Sequence, residues 1–306
     1  MRIVAALGGN ALARRGQPLD LATQRENAAI AAVALAPLAE RHELIVTHGN
    51  GPQVGLLALQ AAASADLPFT PLDALDAESE GLLGYVIGQE LGAELGTGRV
   101  ATVLTQTIVD PADPAFAAPT KPIGPVMTKQ EAARAAARRG WRVARDGADW
   151  RRVVPSPWPQ EIVEVDAVLA LLNAGIVPIC AGGGGVPVIR RNGRLQGVEA
   201  VVDKDLASAL LAEAVAADLL VLLTDVPAVQ AGFGTAHARG IHEATPTELD
   251  ALELAAGSMG PKAAAASQFV RRTHARAAIG ALSDATLLAA GTSGTQAVLT
   301  RATAPA

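Results

Sequence analysis

The sequence predicts an α/β protein with a mainly parallel sheet sandwiched by helices. Three observations predict it. Short apolar runs alternate with Ala/Leu-rich stretches of helical spacing along most of the 306 residues. Glycine-rich turns follow several of the apolar runs, as they do where strands pass into helices. Half of the chain is hydrophobic but only 3% is aromatic, so a sizeable core must be built from Ala, Val, Leu and Ile.

The elements follow in order. Residues 2–7 read as a strand, because this apolar run is too short for a secretory signal and meets Gly8 and Gly9 at once. Residues 21–40 carry apolar side chains at helical spacing. Residues 43–47 form a second strand, 55–63 a second helix and 80–95 a third. A strand is expected at 100–105, then a helix at 166–173 and a strand at 176–181. The pair repeats as a helix at 206–216 and a strand at 219–224. The chain closes with a helix at 261–275, strands at 277–282 and 294–299, and a frayed tail at 301–306.

Residues 110–159 break this rhythm. Pro111, Pro114, Pro119, Pro122, Pro125, Pro155, Pro157 and Pro159 flank a charged helix at 128–139. The stretch reads as an excursion from the sheet of a single domain spanning 1–306, and loops of such length tend to be functional.

Composition narrows the function. A formal net charge of −5 without aromatic–basic interleaving argues against nucleic acid. No apolar stretch reaches the ~18 residues of a membrane span, so a soluble protein is expected. Cys180 is the only cysteine, which fits a reducing cytoplasm, and it sits in an apolar run as a small core residue.

Four glycine turns stand out: Gly8-Gly9-Asn10, His48-Gly49-Asn50-Gly51, Gly182 to Gly185, and Gly257-Ser258-Met259-Gly260, each expected to follow a strand. Glycine lets backbone approach a ligand closely, and a turn that opens a helix presents unpaired N–H groups to phosphate. None matches the P-loop or the dinucleotide fingerprint.

Only four of the 25 basic residues are lysines: Lys121, Lys129, Lys204 and Lys262. Lysines kept in an arginine-rich chain are candidates for lysine chemistry. Lys204 sits between Asp203 and Asp205, Lys262 follows Pro261, and Lys121 lies in the proline-rich excursion. Lysine is a compact charge suited to a moving phosphoryl group. Lys129 reads as a solvated helix residue. Asp203 and Asp205 suit a helix cap on one reading, and orientation of the lysines or help in holding Mg²⁺ on the other. Asp225 ends a strand as a nucleotide-side candidate, or as a turn residue.

No general base is visible. His48 reads as structural or substrate-orienting, and no H-E-x-x-H, G-x-S-x-G or Cys–His pair occurs. An acceptor carboxylate is already ionised at neutral pH. Phosphoryl transfer to it needs positioning and charge neutralisation only.

The opening Leu7-Gly8-Gly9-Asn10-Ala11 resembles the amino acid kinase family. The segments 47–55 (THGNGPQVG), 120–125 (TKPIGP), 154–157 (VPSP), 179–185 (ICAGGGG), 197–205 (GVEAVVDKD) and 257–262 (GSMGPK) resemble its carbamate kinase branch, in order along the whole chain. The resemblance implies a three-layer αβα sandwich, a homodimer, and reversible transfer between ATP and carbamate with Mg²⁺ held mainly through the nucleotide phosphates. It implies that Lys204 and Lys262 contact the transferred group, with Asp205 organising them. Gly8, Gly9 and Asn10 would line the phosphates. Asp203, Thr224, Asp225, Val229, Met259 and Gly260 would face the nucleotide. Gly49, Asn50, Gly51, Gly183 and Gly184 would hold the small acceptor, and the 110–159 excursion would be a lid that carries Lys121. One stretch departs from the family: Val226-Pro227-Ala228-Val229-Gln230 lacks the second acidic residue and the aromatic more often found beside the base. A kinase for a larger carboxylate and a silent metabolite sensor are the competing readings. The tight turn at 48–55 argues against the first. The retained lysines and Asp205 argue against the second.

Overall fold

The apolar run at the start of the chain forms β1 (Arg2–Leu7), buried on both faces between two parallel neighbours. The computed structural model describes residues 1–14, 16–61, 63, 70–235, 237–254 and 259–301. After β1 come the short α1 (Gly9–Leu12), α2 (Leu21–Arg41), β2 (Glu43–His48), α3 (Gly51–Ala61), α4 (Leu72–Leu95) and β3 (Val100–Thr102). Asp20 starts α2 by accepting the Thr23 N–H at 2.8 Å. The chain then leaves the main sheet through β4 (Gln106–Val109), β5 (Lys121–Met127), α5 (Lys129–Arg139), β6 (Val143–Asp146), β7 (Asp149–Val154) and β8 (Pro159–Ile162). It returns by α6 (Val165–Asn173) to β9 (Val177–Ile179), and goes on to β10 (Val186–Arg191), β11 (Arg194–Gly197), α7 (Lys204–Ala214) and β12 (Leu219–Thr224). The last part holds β13 (Gln230–Ala231), β14 (Arg239–Gly240), β15 (Glu243–Ala244), α8 (Pro246–Asp250), α9 (Met259–Thr273), β16 (Arg276–Ala281), α10 (Ala285–Ala290) and β17 (Thr295–Ala297).

The main sheet has eight strands in the order β15-β17-β16-β12-β1-β2-β9-β3. All neighbours are parallel except β16 and β17. Alternate residues of β1 feed two cores. Ile3, Ala5 and Leu7 pack with α2, α4 and α10 on one face. Val4 and Ala6 pack with α6, α7 and α9 on the other. This is the three-layer αβα sandwich, and small Ala side chains let the helices approach the sheet closely.

A second sheet, in the order β11-β10-β4-β8, lies beside the first. The strand expected at 100–105 is therefore shorter: β3 ends at Thr102, and the next strand, β4, begins at Gln106 and belongs to the second sheet. Within 110–159, β5, β7 and β6 make a three-stranded antiparallel sheet, and α5 opens with a Thr128/Glu131 capping box. Trp141 of this segment lies under two guanidinium groups, Arg139 at 5.0 Å and Arg152 at 4.5 Å from the ring centre. The segment docks on α3 through glycine. A Cβ on Gly55 would stand 1.8 Å from the Gly124 Cα, and Gly124 itself has φ +73°.

Three expectations change. Helix α4 starts at Leu72 and not at residue 80, because its first turns bury Asp76, Ser79 and Glu80, polar residues that hide the apolar period. Helix α3 begins at Gly51, directly on the second glycine turn. The turn at 257–260 does not follow a strand: α8 precedes it, and Met259 and Gly260 already belong to α9. Gly257, Ser258 and tail residues 302–306 lie outside the described residues.

Candidate active site

In an open parallel sheet, ligands bind outside the carboxyl ends of the strands. There the turns after β1 and β2 meet the start of α7. A Cβ on Gly8 would lie 3.0 Å from the Leu223 carbonyl oxygen, so the first turn rests on the end of β12. A Cβ on Gly49 would lie 3.3 Å from the Gly9 Cα and 3.1 Å from the Lys204 Cδ. The first two turns and Lys204 are thus mutual neighbours.

Asp203 caps α7 by accepting the Asp205 N–H at 2.9 Å, and its other oxygen takes the Lys121 ammonium. Capping fixes the first turn of α7, which places Lys204 and Asp205 side by side. Lys204 Nζ stands 2.5 Å from Asp205 Oδ1, and Lys262 Nζ, from the first turn of α9, stands 3.0 Å from Asp205 Oδ2. One carboxylate therefore holds two ammonium groups from two helices. Behind it, Ser208 donates to the Lys204 carbonyl at 2.6 Å and lies 2.6 Å from the Thr47 hydroxyl, tying α7 to β2.

The three charges set one another. Burial pushes Lys204 down to about 8, against the pull of Asp205. Burial also works to lower Lys262, but Asp205 overrides it and leaves Lys262 raised. Burial alone would raise Asp205, and the two lysines hold it well below the usual carboxylate range. At neutral pH the cluster carries two positive charges and one negative. It is an electropositive seat for an anion.

The third glycine turn closes the other side. Residues Ala181, Gly183, Gly184 and Gly185 all have positive φ. A Cβ on Gly183 would fall 2.2 Å from the Asn50 Nδ2, and one on Gly182 would fall 2.5 Å from the His48 ring. Gly183 needs glycine for close approach and for conformation, and Gly182 for close approach alone. His48 is fully buried and burial lowers it to about 4, so it is a neutral, structural residue at the end of β2.

Other expected residues are placed less centrally. Thr224 is half-buried and Asp225 exposed at the end of β12. Met259 and Gly260 are half-buried at the start of α9. Gly51 opens α3, and Asn10 lies in α1. Val229 is a correction. It is completely buried, its N–H donates to Thr295 Oγ1 at 2.9 Å and its carbonyl accepts from Ile241. It has no surface to offer a nucleotide.

Sequence reasoning missed the braces on α4. Asp76 and Ser79 accept from Asn50 at 3.0 and 2.7 Å, and Glu80 accepts the Gly182 N–H at 2.9 Å. Burial raises Asp76 well above its ordinary value and pushes Glu80 up to about 8. Residues 76, 79 and 80 share one helical face, but with Asp73, Glu78, Glu90 and Glu94 also on α4 the sequence does not single them out.

The fold and the paired-lysine site define a phosphotransferase class, and known proteins agree. The amino acid kinase family matches residues 1–280, and the chain belongs to that family. Carbamate kinase of Haemophilus influenzae is 52% identical over 97% of this chain and 96% of its own length. Carbamate kinase of Escherichia coli K12 is 50% identical over 96% and 98%. Among solved structures, carbamate kinase from Giardia lamblia bound to AMP-PNP superposes with a TM-score of 0.88 and 40% identity, covering 97% of this chain and 98% of the other. Within its family the chain groups with the carbamate kinases, and it is an enzyme.

Proposed function

We propose that the protein transfers a phosphoryl group reversibly between ATP and carbamate, giving carbamoyl phosphate and ADP. The Lys204–Asp205–Lys262 cluster carries this reading. Two buried ammonium groups share one carboxylate beside two glycine turns. Asp205 fixes both lysines before substrate arrives, so little reorganisation is left for the transition state. Carbamate attacks as its existing anion, which fits a site where His48 is neutral and walled in. The first turn, with Gly8, Gly9 and Asn10, serves the phosphates, and Gly49, Asn50, Gly51, Gly183 and Gly184 serve the acceptor. Asp203, Thr224, Asp225, Met259 and Gly260 stand on the nucleotide side in this reading. Mg²⁺, bound through the nucleotide phosphates, would add charge neutralisation there.

Residues 110–159 act as a lid in this reading, and Lys121 is its cation. Its ion pair with Asp203 supports this, since Asp203 is next to Lys204. Closure would shield carbamate and carbamoyl phosphate, both labile in water. Self-association as a homodimer is supported by exposed apolar side chains on two packed helices, Ile30 and Val33 of α2 and Leu82 and Tyr85 of α4. Among the described residues no helix is long and apolar enough to cross a membrane. We place the enzyme in the cytoplasm, running toward ATP in arginine breakdown (the arginine deiminase pathway), because acyl phosphates are energy-rich.

The test is ATP formation from ADP with carbamoyl phosphate, beside acetyl phosphate and N-acetylglutamyl phosphate. Carbamoyl phosphate is expected to be used best. A purified enzyme that makes no ATP from it refutes the proposal.

A further inference from the structure

The side chain of Asn50 is held in one orientation by hydrogen-bond logic. A serine hydroxyl has a single proton to give. Ser79 gives its own to the Asp76 carbonyl oxygen at 2.9 Å, so toward Asn50 its oxygen can only accept. The atom of Asn50 that faces it at 2.7 Å must then be the amide nitrogen, and the second amide hydrogen goes to Asp76 Oδ1 at 3.0 Å. Gly183 closes the opposite side of the amide, where even a Cβ would overlap it. Both N–H groups of Asn50 are consumed by α4. Its Oδ1 accepts no hydrogen bond among the described residues and, unlike Asp76 Oδ2, is not sealed from solvent. What Asn50 can offer an acceptor molecule is a carbonyl oxygen and nothing else.

We propose that Ser79 and Asp76 lock the Asn50 amide so that its oxygen reads an N–H donor on the acceptor. Asn50 would then select carbamate over carboxylates of the same shape. The inference rests on the proposed function and names what its acceptor site discriminates. Acetate and carbamate differ by a methyl in place of an amino group. They fill the same volume and carry the same charge, so the lysine cluster cannot tell them apart. A fixed carbonyl oxygen can, because only the amino group satisfies it. Ser79 and Asp76 do not touch substrate in this scheme and act as positioning residues.

The test compares carbamoyl phosphate with acetyl phosphate as donors to ADP in wild type, Ser79→Ala and Ser79→Thr, with melting temperatures measured alongside. In Ser79→Ala the amide is free to flip, because a protonated Asp76 can donate as well as accept. The ratio of kcat/KM for carbamoyl over acetyl phosphate is expected to fall about tenfold or more, the worth of one hydrogen bond to a buried site. The KM for ADP should hardly move. Threonine keeps a hydroxyl that can bond back to the same carbonyl, so Ser79→Thr should stay near the wild-type ratio. The inference is overturned by an unchanged ratio in Ser79→Ala, or by an equal loss of preference in Ser79→Thr. A parallel rise in the KM of all three substrates, with the ratio constant, also overturns it, since that marks a packing defect. A wild type that ignores carbamoyl phosphate defeats the proposed function itself, an outcome distinct from these.

Discussion

Replacing Asp205 by Asn removes one charge and leaves two buried ammonium groups facing each other. In the wild type, Lys204 sits at about 8, so at pH 7 it is about nine-tenths ionised. The carboxylate 2.5 Å away is what keeps it there. Losing an opposite charge at such range moves a pKa by roughly 1 to 3 pH units. With burial and Lys262 both opposing the charge, Lys204 in Asp205→Asn falls to half ionised or less at pH 7. The seat then holds one positive charge fewer, and Lys204 loses the partner that orients it. Turnover in ATP formation should drop at least ~100-fold near pH 7.5, the usual cost of a preorganised electrostatic contact. The loss should shrink toward pH 6, where Lys204 regains its proton, and deepen toward pH 9. Steady-state rates across that range, with saturating ADP, measure it. A variant within tenfold of wild type, or a deficit that does not change with pH, refutes the reasoning.

Glu80 gives a stability prediction. Its folded-state pKa of about 8 lies above the ordinary value, so its contribution is full at low pH and is lost as pH rises through about 8. Glu80→Gln should flatten the fall in melting temperature between pH 5 and pH 9, and an unchanged slope in calorimetry would exclude a neutral Glu80. Gly55→Ala pushes a methyl into Gly124, moving β5 and Lys121 with it. Because a misplacement of about 1 Å can cost ~100-fold, kcat should fall at least tenfold with ADP affinity retained. Full activity would mean that β5 need not dock there. Lys121→Ala should lose activity with little change in ADP binding by titration calorimetry, and collapse of ADP binding would move Lys121 to the nucleotide side.

Much of this fold was legible because the sheet strands are short, apolar and punctuated by glycine. The convergence of Lys204, Asp205 and Lys262 was legible for a different reason. In a chain that writes its cations as arginine, a lysine beside a helix start stands out. The braces on α4 were not legible, since Asp76 and Ser79 fall ahead of the helix expected at 80–95 and nothing local marks them or Glu80 as buried. Gly182, which packs on Glu80, and Gly183, which packs on the Asn50 that Asp76 and Ser79 hold, are each more than a hundred residues away in sequence from the residue they meet. The side sheet was hidden too, because strands β4 and β10 are distant in sequence and pair in parallel. Val229 was misread because adjacency to Asp225 says nothing about which way a side chain points. In the structure it points into the core beneath Thr295.

The placement of the aromatic residues has a practical consequence. All three tryptophans, Trp141, Trp150 and Trp158, lie in the excursion, and the main sandwich is almost free of indole and phenol. Intrinsic emission therefore comes almost wholly from one small part of the molecule. Trp141, in contact with two guanidinium groups and with the pocket it shares with Gly55 and Leu59 of α3, is a built-in optical probe. A stopped-flow trace taken on mixing with nucleotide would follow this segment, with no label attached and with Lys204 and Lys262 silent.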